Sequence, residues 1–168
     1  PPRSTLFPYT TLFRSFSKAY SMPGWRLGYL AAPKWLASRI AAFQSHTTSN
    51  PTSFVQYGGL AALKGPQEPV EQMRKAFAAR RDLNYSLVSA IPGVKTIRPS
   101  GAFYLFFDIS SFGMDSAEFV DKLLEVEKVA GVPGKAFGSP NCVRISYACS
   151  EETIREAAKR IARFCASL

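Results

Sequence analysis

Three observations predict a chain of mixed helix and strand, with an α+β fold after Glu68. Apolar residues recur at helical spacing in several long segments. Shorter apolar runs, bounded by Pro and Gly, read as strands. Beyond Glu68 the order is helix, then strands, then a closing helix, with few crossovers. The 168 residues suffice for one ordinary domain with a real core and are short for two.

Residues Pro1 to Arg14 stand apart. They repeat Thr5-Leu6-Phe7-Pro8 as Thr11-Leu12-Phe13-Arg14 in a Pro- and Thr-rich setting without helical period. The cationic start and long apolar centre of a secretory signal are missing. This stretch resembles translated adapter sequence, and a non-native leader is expected over residues 1–14. Trp25 to Ala32 reads as a buried strand ended by Pro33. Lys34 to His46 carries Trp35, Leu36, Ile40 and Phe43 at helical spacing. Ser49-Asn50-Pro51-Thr52 is a turn, and Thr52 or Asn50 is placed to cap a helix running to Leu63, stopped by Gly65-Pro66.

Glu68 to Ala90 is the longest helical pattern. Its apolar side is Val70, Met73, Phe77, Leu83, Leu87 and Val88, and its solvated face includes Arg80, Arg81 and Asp82. Val94 to Ile97 and Phe103 to Ile109 read as strands joined by a turn at Arg98-Pro99-Ser100-Gly101. Asp115 to Glu127 is a helix with Ser116 as its expected cap. A short strand over Lys128 to Val132, a loop over Pro133 to Asn141 and a strand over Cys142 to Tyr147 follow. Ser150-Glu151-Glu152 opens the last helix, with acids in the first turn as the dipole favours.

Charge and cysteines narrow the function classes. Lys and Arg number 21 and Asp and Glu 12, a net charge of +9. Seven bases and no acid precede Glu68, leaving 14 bases against 12 acids from there on. The bases are scattered among apolar segments, with no basic helix face, so nucleic acid is not the expected partner. A missing acidic partner region explains the imbalance better. No apolar run approaches the length of a membrane span. Cys142, Cys149 and Cys165 are odd in number without metal-ligand spacing. They suggest reduced thiols and a cytoplasmic location. No metal site is expected.

The stretch that carries chemistry is Ser15-Phe16-Ser17-Lys18-Ala19-Tyr20-Ser21-Met22-Pro23-Gly24-Trp25-Arg26-Leu27-Gly28. A lysine held in a tight polar turn and partly desolvated is an amine able to form a Schiff base with an aldehyde. The hydroxyls of Ser15 and Ser17 and the guanidinium of Arg26 could gather around one phosphate. The pattern of serine, two residues, lysine, then Gly-x-Arg-x-Gly resembles the cofactor-lysine segment of the class I/II, aspartate-aminotransferase-like, enzymes. The likeness continues through Ser49-Asn50-Pro51, Gly101-Ala102-Phe103-Tyr104, the block Pro133 to Gly138, and Val143-Arg144-Ile145-Ser146-Tyr147.

That resemblance implies an α/β fold, the fold-type-I pyridoxal-phosphate transferase. Residues 15–64 would be the C-terminal part of the large, cofactor-binding domain, and residues 65–168 a small α+β domain with a long bridging helix. The chain is expected to be a C-terminal fragment of a homodimeric enzyme. The resemblance implies pyridoxal 5'-phosphate as cofactor, with Lys18 as its Schiff-base lysine and the acid/base at the substrate Cα. Arg26, Ser15 and Ser17 would hold the cofactor phosphate, and Arg144 the substrate α-carboxylate. Asn50 would lie in the loop that reaches the neighbouring subunit's site, although a plain helix cap is the competing reading. An internal salt bridge is the rival for Arg144. Phe103 and Tyr104 stand between pocket lining and core.

The implied reaction is transamination between an amino acid and a 2-oxo acid. Aspartate is the expected amino donor, while prephenate, aromatic amino acids and alanine remain open. Competing activities that share the lysine segment are a carbon–sulfur lyase and an aminocyclopropanecarboxylate-synthase-like enzyme. The family's ring-nitrogen aspartate and glycine-rich phosphate loop would lie upstream. The chain alone is therefore expected to be catalytically inactive and, with an apolar face uncovered, prone to self-association.

Overall fold

The computed structural model describes residues 12–168. Of the leader expected over residues 1–14, residues 1–11 lie outside those described, and Leu12 to Arg14 belong to a strand. The chain forms two compact units, divided after Glu71.

In the first unit, β1 (Leu12–Ser15) pairs antiparallel with β2 (Gly28–Ala31), with Leu12 opposite Ala31 and Ser15 opposite Gly28. The ladder continues one step further, where the Phe16 amide donates to the Leu27 carbonyl at 3.1 Å. The one-turn helix α1 (Phe16–Ala19) opens directly from β1, and the Ser15 hydroxyl caps it by accepting from the Ser17 amide at 3.1 Å. The expected strand from Trp25 starts only at Gly28. Pro23, whose ring presets a helical φ, opens a 3-10 turn over Pro23–Trp25, and Arg26 leaves it in the left-handed region at φ 52°.

Helices α2 (Lys34–Thr47) and α3 (Ser53–Lys64) complete this unit. Its small core is Phe16, Leu27 and Val55, with Tyr20, Met22 and Ala62 against it. Helix α3 reaches that core at Gly59, where a Cβ would stand 2.4 Å from Leu27 Cδ2. Any larger residue there would force the Leu27 side chain or the helix to shift. Thr52 stands at the cap position of α3 without a side-chain bond. Gln56 instead donates to the Pro51 carbonyl at 2.9 Å. Helix α2 buries no residue, and Trp35 and Phe43 are each 70% exposed.

The division between units falls in the first turn of α4 (Glu68–Ser89). The second unit holds a four-stranded antiparallel sheet in the order β3-β4-β6-β5. Its strands are β3 (Lys95–Thr96), β4 (Tyr104–Asp108), β5 (Val132–Pro133) and β6 (Cys142–Ser146). Helices α5 (Ser116–Glu127) and α6 (Glu151–Ala166) cover one face. Strand alternation sends Leu105, Phe107, Val143 and Ile145 into that core, with Phe119 and Leu123 of α5 and Ile161 and Phe164 of α6. The opposite face carries Tyr104, Phe106, Arg144 and Ser146, none of them buried.

Two local expectations are corrected. Asp115, not Ser116, caps α5: its carboxylate accepts from the Ala117 and Glu118 amides, both at 2.9 Å. An anion outbids a hydroxyl at a helix start, and Ser116 is instead fully buried. The strand expected over Lys128 to Val132 shrinks to Val132–Pro133, because Lys128 ends α5 in the left-handed region at φ 58°.

Phe119 is fully buried and meets Phe164 edge-on at 5.1 Å between ring centroids. Phe119→Ala is expected to destabilise this unit by about 3–5 kcal/mol, read as a lowered urea midpoint. Glu127 accepts from Arg163 Nε at 2.8 Å and from Arg163 Nη2. Those bonds hold its carboxyl below the usual carboxylate range. A depressed folded pKa stabilises above the unfolded value, and that stabilisation is lost as pH falls through the folded one. Glu127→Gln should therefore flatten the decline in urea midpoint below about pH 4.3, while leaving the acid-side loss from other carboxylates in place.

Candidate active site

The Lys18 segment and Arg26 are brought to one end of one hairpin. Ser15 and Gly28 face each other across the ladder, and the next bond runs from Phe16 to Leu27. Lys18 and Arg26 therefore follow and precede the last paired residues by only two and one positions. Phe16 and Leu27 are both buried and anchor the two chain segments from beneath. Arg26 is exposed, and its Nη1 donates to the Pro23 carbonyl at 2.9 Å. Ser21 (φ 53°), Arg26 (φ 52°) and Ser49 (φ 61°) are non-glycine residues in the left-handed region. Such backbone strain collects at sites where geometry is needed for function.

Lys18 is exposed, which corrects the expectation that its turn partly desolvates it. The cause is helical geometry: α1 is a single turn that buries Phe16, and a residue two positions on points to the other side. The residues fit a phosphate-bearing aldehyde nonetheless. Lys18, Arg26 and Ser15 are all exposed and lie within two residues of the last backbone-paired step of the hairpin. The Ser15 oxygen accepts from an amide, so its proton remains a donor for an anion. Ser17 is half-buried. Asn50 is exposed in the α2–α3 loop of the same unit, directly after the strained Ser49.

Arg144 belongs to the second unit, in the middle of β6. Its neighbours Val143 and Ile145 are buried on the core side, so alternation sends the guanidinium to the open face. There its central carbon lies 4.3 Å from the Tyr104 ring centroid and 4.4 Å from that of Phe137. Its Nε is buried without a hydrogen-bond partner. Among the described residues no carboxylate pairs with it. Phe103 packs against Tyr104 with the rings tilted, centroids 4.4 Å apart, and meets Phe77 at 6.1 Å. Tyr104 thus faces Arg144, and Phe103 backs it.

The sequence reading left Phe137 unassigned. It sits on a 3-10 turn, Gly134–Phe137, whose path no periodicity reports; an aromatic three residues after Pro-Gly was the only signal. A separate cleft of about 470 Å³ in the second unit includes neither Arg144 nor its two rings.

Comparisons with known proteins place the chain in a family. The family model described as aminotransferase class I and II matches residues 3–161. The aspartate aminotransferase of Bacillus subtilis is 47% identical over 160 residues, covering 92% of this chain and 41% of that protein. The aspartate/prephenate aminotransferase of Cereibacter sphaeroides is 47% identical over 174 residues, covering 97% of this chain and 43% of that protein. The crystal structure of an aromatic aminotransferase from Pyrococcus horikoshii superposes with a TM-score of 0.86 at 40% identity, covering 91% of this chain and 42% of that one. The chain thus spans about 41% of the length of the Bacillus relative. With most of its residues matched by the family model and its fold shared with a solved member, the chain belongs to the class I and II aminotransferases.

Proposed function

We propose that the parent enzyme of this chain is a pyridoxal-phosphate-dependent, aspartate-type aminotransferase that exchanges an amino group between an amino acid and a 2-oxo acid. The observation that carries this reading is the juxtaposition of Lys18 and Arg26 on one backbone-paired hairpin. When bound, pyridoxal phosphate supplies an aldehyde carbon and a conjugated ring able to absorb charge from the substrate Cα.

Lys18 would hold the cofactor through its Nζ and would serve as the acid/base that moves the proton at the substrate Cα. That role needs an unprotonated amine, obtained by desolvation and neighbouring cationic charge. In this unit Lys18 is open, so the desolvating wall is assigned to the rest of the parent. Arg26, Ser15 and Ser17 hold the phosphate, the arginine contributing permanent charge and paired donors. Arg144 takes the substrate carboxylate on its N–H donors, which no carboxylate among the described residues uses. Asn50, exposed beside a strained residue, serves the neighbouring subunit's site in a homodimer. The three free thiols favour a cytoplasmic setting, and no helix among the described residues is long and apolar enough to cross a membrane.

Aspartate is the proposed donor because relatives named for it cover most of the chain. Prephenate and aromatic substrates are named for others. The test is amino transfer from a panel of amino acids to 2-oxoglutarate by the full-length parent. Highest kcat/KM with aspartate is expected. Sulfide and pyruvate released from a sulfur amino acid without amino transfer would replace the reading with a carbon–sulfur lyase.

A further inference from the structure

Arg144 is held in an unusual way for a charge in an otherwise apolar strand. Half-buried guanidinium groups are ordinarily fixed by a carboxylate. Here two aromatic rings occupy that place, with the guanidinium carbon 4.3 and 4.4 Å from their centroids. The difference matters chemically. An acid would fix the group by using the same N–H donors that a substrate carboxylate needs, and would cancel its charge. A ring face attracts the cation through its quadrupole and leaves the N–H edge unused. The Nε, buried and without a hydrogen-bond partner, is a donor that no group among the described residues has taken up.

Both rings are themselves fixed. Tyr104 pairs with Ser146 on β6, one side-chain step along the same face from Arg144, which pairs with Phe106. Phe137 closes the 3-10 turn, and its ring meets Phe106 edge-on at 6.2 Å. The turn is bound to the strand beneath it. A Cβ at Gly134 would stand 2.4 Å from the Cys142 carbonyl oxygen and 2.5 Å from that of Ser139, so only glycine lets the turn lie this close. The Ser139 amide returns to the Gly134 carbonyl at 3.0 Å. The Lys135 amide donates to the fully buried Ser116 hydroxyl at 3.3 Å. Ser116 and Gly134 thereby set where the Phe137 ring stands.

We infer that Phe137 and Tyr104 are positioning residues for Arg144, orienting its guanidinium for bidentate capture of a substrate carboxylate without neutralising it. The inference rests on the reading of Arg144 as the carboxylate-binding group. The test uses the full-length parent enzyme and the variants Phe137→Leu, Phe137→Tyr and Arg144→Lys, measuring KM and kcat for both the amino acid and the 2-oxo acid. Phe137→Leu should raise both KM values roughly tenfold, with kcat changing less than about threefold, because the carboxylate contact is made equally in ground and transition states. Phe137→Tyr keeps the ring and should restore KM. Unchanged KM in Phe137→Leu, where Arg144→Lys does raise it, overturns the inference and leaves the carboxylate reading intact. Unchanged KM in Arg144→Lys overturns both. A joint collapse of kcat and KM in Phe137→Leu that Phe137→Tyr does not rescue would make the ring merely structural and also overturns the inference.

Discussion

Lys18→Ala in the full-length parent should lower amino transfer by at least about 10³-fold, the scale of losing a positioned proton-transfer group, with little change in unfolding midpoint. The reason for the asymmetry lies in exposure. Lys18 is exposed on the one-turn helix whose buried residue is Phe16, so trimming it leaves that core residue in place. Added small amines should recover part of the activity, because an external amine can move a proton where the side chain no longer does. Lys18→Arg should not recover, since a guanidinium stays protonated.

Arg144→Ala should raise KM for both substrates on the order of 10²-fold, the cost of losing a charge-assisted, paired contact. It acts on both half-reactions because each substrate carries a carboxylate beside its reacting carbon. The same substitution leaves Tyr104 and Phe137 without the cation they face, but both rings keep their aromatic neighbours. Thermal unfolding should therefore shift far less than substrate binding. Steady-state kinetics on substrates that lack the α-carboxylate should show no penalty from the substitution.

Much of this layout was legible in the sequence where the signal is periodic. The stripe Ile154, Ala158, Ile161 and Cys165 of α6 and the alternation around Arg144 follow from spacing alone. The cap of α5 was misplaced by one residue, since Asp115 and Ser116 are both capping types and only geometry separates them. Trp25 was read into a strand with the apolar run that follows Arg26, whereas the Pro23 turn and the left-handed Arg26 keep the chain out of extended conformation until Gly28. Lys18 shows a different limit. Its polar flanks identify it as chemically special, but desolvation is supplied by tertiary surroundings, and α1 is too short to supply it. The role of Phe137 was not legible for a related reason: its contact with Arg144 depends on a turn tied down by Ser116, which is remote from it in sequence though not in space.

The central claim is that Lys18 is the lysine that carries the cofactor. The most direct measurement is incubation of the full-length parent with pyridoxal phosphate, borohydride reduction and mass mapping of the labelled peptides. The account predicts a phosphopyridoxyl group on Lys18 and not on Lys34 or Lys64, the other lysines of the same unit. Arg26→Ala should raise the pyridoxal phosphate concentration needed for labelling. Label absent from Lys18, or found on another lysine with Lys18 intact, would contradict it.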